Sequence, residues 1–323
     1  MKSSPESWKN GWRKSLLMGG RNEGLANQQV AGRKMVSLQA FSIVVPDIPI
    51  VSLPTISYDK LLTGDPEEIA RLLGNCQSLG FFYLDLTGAA QVVLNNSRDV
   101  FKLMEVAQGE MKSRAPQLPG TVRMNIDLFD SFISGSHAVV RKILESLSTG
   151  MGLTGDLRFE NQHRANVPAR TTMVLFRYPR QLHEGGGIGH NMHTDIGSLT
   201  LLFCEDYGLQ ILHPETNQWG FVVPKLGHAV INVGDSLRFL SGHKLASCVH
   251  RVLPITEWQE HHRYSIAYFL RPEDNVIYVD SKGRQLSARR WHDEKYDVFR
   301  EPHETQEEDV ILTGGMEQDG VLV

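Results

Sequence analysis

The chain of 323 residues is long enough for one large domain or two ordinary ones with a sizeable core. Hydrophobic residues form 41% of it and charged residues 22%, a composition typical of a soluble globular protein. The net charge of −4 gives no reason to expect a nucleic-acid partner, and no apolar run approaches the roughly 18 residues of a membrane span. Three cysteines, Cys76, Cys204 and Cys248, lie in apolar runs, which favours reduced thiols of a cytosolic protein over disulfides.

The chain divides into three zones. Residues 1–42 are rich in Lys and Arg, contain few acidic residues and lack the apolar core of a secretory signal. We predict a loosely ordered basic extension there, with a mitochondrial address as the alternative to a cytoplasmic protein. A helical region is predicted for residues 43–165 and a strand-rich core with a C-terminal helix for residues 166–315.

The N-terminal elements are predicted from periodicity and capping residues. Asp65 is a candidate N-cap, and Gly80 lies just past the end of the helix that Asp65 begins. The predicted elements of this zone are strands at 48–53 and 81–86 and helices at 65–80, 90–113 and 136–153.

From about residue 170 the pattern changes to short apolar runs separated by turn residues. About eight strands at this spacing predict an antiparallel sandwich or barrel. The runs are at 171–179, 198–205, 208–214, 219–224, 228–240, 248–254, 263–272 and 275–280, and a helix is predicted at 287–300.

Three polar residues in apolar runs form a candidate metal site. His193 and Asp195 would share one face of a strand, and His250 lies in another predicted strand. Two histidines and one carboxylate form the facial triad of non-haem Fe(II), whereas structural zinc favours four ligands and thiolates. The alternative is that each histidine is a core residue bonded to a backbone carbonyl.

The other histidines carry no functional prediction. His190, three residues before His193, is expected on the opposite face of the strand. His183, His228 and His243 are predicted to lie in turns.

A second pattern indicates an anionic ligand. Arg263 and Ser265 point to one face of a predicted strand, and Tyr178 could add a hydroxyl from a neighbouring strand. Because an unpaired buried charge is strongly destabilising, the arginine requires an anionic partner. A ligand carboxylate fits the guanidinium fork, and an internal salt bridge with a distant acidic residue is the alternative.

The motifs "HTDIGSLTLL", "VINVGDSLRFLSG", "SCVHRV" and "RYSIAYFLRP" resemble those of the isopenicillin N synthase-like family of Fe(II)- and 2-oxoglutarate-dependent dioxygenases. The segments "IPIVSL" and "LGFFYLDLTG" are similar to the N-terminal motifs of that family. The ending "KYDVFREPHETQEEDVILTGGM" is similar to fungal members tied to natural-product pathways. The resemblance covers residues 45–115 and 136–315.

The resemblance implies a mainly β fold with flanking helices, a double-stranded β-helix (jelly roll) with N-terminal helices packed on it. It implies an oxidoreductase that uses Fe(II), 2-oxoglutarate and O2 to hydroxylate, desaturate or rearrange a small secondary metabolite, with release of succinate and CO2. The residue roles it implies are Fe(II) binding by His193, Asp195 and His250, 2-oxoglutarate binding by Arg263, Ser265 and Tyr178, and a cavity wall at Phe269.

The chain departs from the family pattern at two places that bear on the site. Phe176 stands where many plant members have asparagine, so one polar contact to the cosubstrate is missing or replaced. After residues 117–120, a segment that normally helps to wall the substrate pocket is nearly absent.

Two readings compete with a 2-oxoglutarate-dependent oxygenase. They are an oxidase of the isopenicillin N synthase kind, which uses no oxoacid, and a non-catalytic relative that binds a metal or ligand. The expected partner is a small-molecule substrate and not nucleic acid or a membrane, and the oligomeric state is left open.

Overall fold

The computed structural model describes residues 17–19, 48–107, 119–180, 189–254, 259, 261–306 and 309–316. The strands in chain order are β1 (Leu17–Gly19), β2 (Thr55–Ser57), β3 (Phe81–Asp85), β4 (Thr172–Tyr178), β5 (His190–His193), β6 (Leu199–Cys204), β7 (Leu209–His213), β8 (Gln218–Phe221), β9 (His228–Val233), β10 (His250–Val252), β11 (Arg263–Leu270), β12 (Ile277–Val279) and β13 (Gln285–Ser287). The α-helices are α1 (Tyr58–Thr63), α2 (Pro66–Ser78), α3 (Gln91–Ala107), α4 (Gly120–Met124), α5 (Ile126–Gly150), α6 (Asp235–Leu240), α7 (Ala288–Phe299) and α8 (His303–Gln306).

Two sheets form the body of the fold. The major sheet has the order β1-β4-β11-β6-β9-β3-β2, and the minor sheet has the order β5-β10-β7-β8. Their strand pairs are antiparallel except for β1 with β4 and β2 with β3. This mainly antiparallel architecture with flanking helices confirms the predicted jelly-roll class.

Helices cover one face of the major sheet. Phe132 of α5 packs against Phe203 of β6 with the ring centroids 5.8 Å apart. A second apolar cluster, which includes Phe81 of β3 and Ile211 of β7, fills the space between the two sheets. None of the described helices is both long and apolar enough to cross a membrane.

Several N-terminal predictions are confirmed. The Asp65 carboxylate caps α2 by accepting from the backbone amides of Glu67 and Glu68 at 2.9 and 3.1 Å, and β3 matches the strand predicted at 81–86. Helix α3 agrees with the start of the prediction at 90–113, whose last residues, 108–113, lie outside the described part of the chain. All three cysteines are free thiols, as predicted.

The strand predicted at 48–53 is wrong. The strand in this region is β2, and within 48–53 only Ile50 forms an isolated bridge, to Phe221. Pro49 lies within the segment and Pro54 directly follows it, and proline has no N–H to donate to a ladder.

The boundaries of two other elements also differ from prediction. The helix predicted at 136–153 begins ten residues earlier, because Phe129, Phe132 and Ile133 extend its buried stripe toward the N-terminus. The strand predicted at 228–240 ends at Val233 and is followed by α6. All residues of this short helix except Leu240 are buried, so it lacks the exposed face whose periodicity would distinguish it from a strand.

Gly80 has a left-handed backbone, φ +70°, and an added Cβ would collide with the carbonyl oxygen of Ala246. Gly64, at the end of α1, has φ +72° and nothing within 4 Å of an added Cβ. We expect Gly64→Ala to lower the free energy of unfolding by about 1–2 kcal/mol through backbone strain alone. Gly80→Ala should lower it by about 1–3 kcal/mol more, because the clash adds to the same strain. Urea unfolding of both variants checks this, and equal losses would contradict it.

Candidate metal centre

Two histidines are direct partners on neighbouring strands of the minor sheet. His193 ends β5 and His250 begins β10, and antiparallel pairing sets the two residues directly opposite each other. Their ring centroids lie 4.3 Å apart, and Phe81 packs edge-on against His250. Each histidine is only 7% exposed, so the strand pairing holds two imidazoles together inside the protein.

Hydrogen bonds to the backbone orient both imidazoles. Nδ1 of His193 donates to the carbonyl oxygen of Asn191 at 2.6 Å, and Nδ1 of His250 donates to that of Cys248 at 3.1 Å. Because a carbonyl oxygen can only accept, Nδ1 carries the hydrogen in each ring and the lone pair lies on Nε2. A carbonyl partner on the second nitrogen is common for metal-binding histidines.

Asp195 faces the two histidines from a loop. Thr200 and Asn232, which lie opposite each other on β6 and β9, both donate to its Oδ2 atom, Asn232 at 2.7 Å. The Oδ1 atom lies 3.8 Å from Nε2 of His193 and 3.8 Å from Nε2 of His250. The major sheet therefore orients the carboxylate toward histidines that the minor sheet holds.

The prediction that His193 and Asp195 share a strand face is wrong. Strand β5 ends at His193, because the amide of Thr194 donates to the carbonyl oxygen of Leu312 at 2.8 Å and not to a neighbouring strand. The residues still converge, because the loop turns back toward the histidines.

The donor set fits a divalent cation. The three ligating atoms lie within 4.8 Å of one another, and 3.8 Å is too long for a hydrogen bond between imidazole and carboxylate. Burial, followed by the His250 ring, lowers the pKa of His193 well below its usual value, so the imidazole is neutral. Burial acts to raise the pKa of Asp195, but the two histidines and the hydrogen bonds to Oδ2 outweigh it and lower that pKa. Two imidazoles and a carboxylate match the facial triad of non-haem Fe(II).

The predicted anion site lies on the major sheet. Arg263 and Tyr178 are direct partners on β11 and β4, and the guanidinium carbon lies 4.8 Å from the tyrosine ring centroid. Nε of Arg263 donates to the carbonyl oxygen of Tyr207 at 2.8 Å, whereas the buried Nη1 has no hydrogen-bond partner. Ser265 is 2% exposed on the same face of β11. No described carboxylate forms an ion pair with Arg263, so the internal salt bridge considered from the sequence is absent there.

His190 belongs to this site, contrary to prediction. Its Nδ1 atom lies 3.1 Å from the hydroxyl of Tyr178, and its ring centroid lies 6.0 Å from that of His193. The register between β5 and β10 shifts between His250 and Val252, so the strict alternation of side chains is broken. His190 and His193 thus approach each other despite their odd spacing, and His190 connects the metal-site residues to the Arg263 region. His228, predicted to lie in a turn, begins β9, and His183 lies outside the described residues.

A buried ion pair beneath the triad also has no sequence signal of its own. Lys295 of α7 donates to Asp235 at 2.6 Å and to the hydroxyl of Thr194 at 2.7 Å, and its side chain is fully buried. Thr194 lies between His193 and Asp195 in the chain. The C-terminal helix therefore supports the loop that positions both residues.

Aromatic side chains surround the centre. Phe176 stacks on Tyr178 with the centroids 6.1 Å apart, and His190 lies edge-on to Phe176 at 5.1 Å. Phe299, at the end of α7, packs edge-on against His193 at 5.2 Å. Phe269 is half-buried on the same face of β11 as Arg263. Apolar walls of this kind exclude water from a polar centre.

Comparison with known proteins identifies the family. Residues 169–272 match the model of the 2OG-Fe(II) oxygenase superfamily. The chain is 54% identical over 204 residues to the 2-oxoglutarate-dependent dioxygenase iboH of Amanita muscaria (strain Koide BX008), an alignment that covers 62% of this chain and 98% of that relative. It is 39% identical over 309 residues to the 2-oxoglutarate-dependent dioxygenase frbH of Dothideomycetidae sp. (strain 11243), with 83% and 96% covered. The chain belongs to the 2OG-Fe(II) oxygenase superfamily.

Solved structures share the fold of this oxygenase. A full-length Neurospora crassa protein, crystallised in complex with alpha-KG, superposes with a TM-score of 0.59 at 21% identity, with 77% of this chain and 99% of that chain covered. The rice dioxygenase for auxin oxidation gives a TM-score of 0.58 at 20% identity, with 79% and 98% covered.

The family confirms the predicted activity. This oxygenase is a 2-oxoglutarate-dependent dioxygenase, an oxidoreductase whose cofactors are Fe(II), 2-oxoglutarate and O2.

Asn232 should matter to this oxygenase through the orientation of Asp195. Asn232→Leu removes the donor to Oδ2 at similar volume, and we expect the affinity for Fe(II) to fall by about 10- to 100-fold, as is usual for partners of metal ligands. Anaerobic titration against a chelator measures this affinity. Asn96→Leu is the matched control, since Asn96 is half-buried on α3, far from Asp195 in the chain, and bonds Ser131. Unchanged affinity in Asn232→Leu would show that Asp195 needs no such orientation.

Proposed function

We propose that His193, Asp195 and His250 bind the Fe(II) of this oxygenase. The observation that carries the proposal is that both Nε2 lone pairs face the same Asp195 oxygen at 3.8 Å, without a hydrogen bond between them. Such a set of electron donors is mutually repulsive until a cation lies among them. When bound, Fe(II) with 2-oxoglutarate and O2 supplies the oxidation, and 2-oxoglutarate leaves as succinate and CO2.

In this proposal Arg263 binds the distal carboxylate of 2-oxoglutarate, with the hydroxyls of Ser265 and Tyr178 beside it. Arg263 is 4% exposed and its guanidinium has an unpaired nitrogen, which supports an anionic ligand. Arginine forms two parallel hydrogen bonds with a carboxylate, so it orients the ligand as well as neutralising it.

The substrate in this proposal is a small molecule of secondary metabolism, held near the triad by aromatic walls that include Phe176, Phe269 and Phe299. Solved neighbours of the same fold support a small organic substrate, since one was crystallised with thymine and another with JA. Hydroxylation, desaturation and rearrangement all remain within the proposal. Three free cysteines support a reducing compartment such as the cytoplasm.

Oxygen-dependent conversion of 2-oxoglutarate to succinate tests this function. We expect Asp195→Ala to abolish succinate formation and to remove Fe(II) binding at micromolar metal, because two histidines alone lack the charge and the third donor. Succinate release and anaerobic metal titration are the measurements, and circular dichroism checks the fold. Retained activity in Asp195→Ala would require a different ligand set.

The same assay separates the competing functions. An oxidase of the isopenicillin N synthase kind would consume O2 and substrate without forming succinate. A non-catalytic relative would bind metal or ligand but consume no 2-oxoglutarate under any condition.

Arg263→Ala should weaken 2-oxoglutarate binding by roughly 10- to 150-fold, the loss of a buried charge-assisted pair. The prime substrate should be affected far less. Anaerobic calorimetry with Mn(II) in place of Fe(II) measures both affinities. Arg251→Ala is the matched control, because its guanidinium stacks over Trp219 at 4.0 Å and bonds Gln210. Equal losses for both ligands would mean that Arg263 does not hold the cosubstrate.

A further inference from the structure

A second buried arginine lies at the other end of β11. Arg271 immediately follows the strand and is 9% exposed. By the alternation of side chains along a strand, it belongs to the face that carries Arg263, Ser265 and Phe269. Its guanidinium carbon lies 5.4 Å from the centroid of the Phe269 ring. The same strand thus has an inward-facing arginine near each end.

Most of the hydrogen-bonding capacity of Arg271 is unused. Nη1 donates to the carbonyl oxygen of Arg170, whereas the buried Nε has no partner. Within the described ranges, no hydrogen bond uses Nη2 and no carboxylate forms an ion pair with this guanidinium. The neighbouring Arg170 differs, since carboxylates of Asp274 and Asp293 lie 3.8 Å from its guanidinium. Nε and Nη2 are the two donors of one guanidinium edge, the geometry that a carboxylate or phosphate accepts.

The electrostatic surroundings of Arg271 also lack a dedicated counter-charge. Burial lowers the pKa of Arg271 to about 10, and among its neighbours Asp195 has the largest opposing effect, followed by Tyr296 of α7. Asp195 belongs to the proposed metal ligands, so a bound divalent cation offsets its charge. Cation–π contact with Phe269 satisfies none of the N–H groups. An unpaired buried charge is strongly destabilising, so an anion supplied by a ligand would stabilise this guanidinium.

The cosubstrate is not that ligand if Arg263 holds it. The two arginines are eight positions apart in the chain, which is about 27 Å along a strand. This separation is too large for both guanidinium groups to contact one five-carbon diacid. The two arginines therefore require two different anions.

We propose that Arg271 anchors an anionic oxyacid group, carboxylate or phosphate, of the prime substrate. The inference rests on the proposed function, because it places this group beside the triad in an oxygenase whose cosubstrate occupies Arg263. It assigns the substrate to the class of small organic acids or phosphate esters, held by a charge-assisted pair and by the apolar face of Phe269.

The test uses the full chain loaded with Mn(II) and 2-oxoglutarate, so that binding is measured without turnover. The probes are the proteinogenic L-amino acids, a set of aliphatic and aromatic carboxylic acids, the carboxamide of each acid and matching phosphate monoesters. Calorimetry gives the affinity of each compound. We expect at least one acid or phosphate ester to bind, and its uncharged counterpart to bind roughly 10-fold more weakly or less well still.

Two variants and one control assign the effect to Arg271. Arg271→Met should weaken binding of the anionic compound by roughly 10- to 150-fold, with affinity for 2-oxoglutarate within about threefold of the wild type. Arg271→Lys keeps the charge without the fork, and should retain part of the affinity. Arg289→Met is the control, because Arg289 is exposed on α7 and its guanidinium lies 3.6 Å from Asp293.

Three results would overturn the inference while leaving the function intact: equal affinity for anionic and neutral counterparts, unchanged affinity of Arg271→Met for the anion, or no bound anion in a protein that binds 2-oxoglutarate. If Arg271→Met fails to fold, Arg271→Lys decides, since affinity for the anion equal to that of the wild type excludes recognition by the fork. Failure of the wild type to bind 2-oxoglutarate would instead contradict the proposed function.

Discussion

The site depends on one constraint, the direct pairing of His193 with His250 between two strands of the minor sheet. The pairing holds two buried imidazoles at a centroid separation of 4.3 Å, with both lone pairs on Nε2. The major sheet then directs an oxygen of Asp195 at both nitrogens through Thr200 and Asn232. The minor sheet holds the two histidines, and the major sheet orients the carboxylate. The three donors are therefore brought together by the way the sheets face each other and not by proximity in sequence. The arrangement is unfavourable by itself and becomes favourable with a cation, which is why it indicates a metal centre.

The charges beneath the triad have a related role. Lys295 and Asp235 form a fully buried pair that also bonds Thr194. A buried ion pair adds little net stability compared with apolar residues, but loss of one partner is strongly destabilising. Here the pair lies under the backbone segment that joins two proposed ligands. Its physical effect is to limit the movement of that segment, so the donors are already arranged before a metal binds.

Much of the fold and the centre of the site follow from sequence patterns. The Asp65 cap, the apolar runs of the strands and the polar residues within them are local signals, and each is interpretable without the structure. The failures have identifiable causes. The prediction for His190 is wrong because a shift of register between β5 and β10 is a property of two strands and not of one. Lys295 gives no signal because a lysine in a polar helix has an ordinary sequence context, and its burial follows only from how α7 docks.

The position of Phe176 links the family departure to the residues around it. Where many plant members have a polar asparagine, this chain has a ring that stacks on Tyr178 and meets the edge of His190. Phe176 supplies no polar group there, and the hydroxyl of the same tyrosine lies 3.1 Å from Nδ1 of His190. The polar neighbour of Tyr178 at this edge of the site therefore comes from β5 of the minor sheet. Arg263 lies at one end of β11 and Arg271 just past the other, so the charged side chains of this strand lie at its two ends. Aromatic side chains line the region between them, where the triad forms the polar centre.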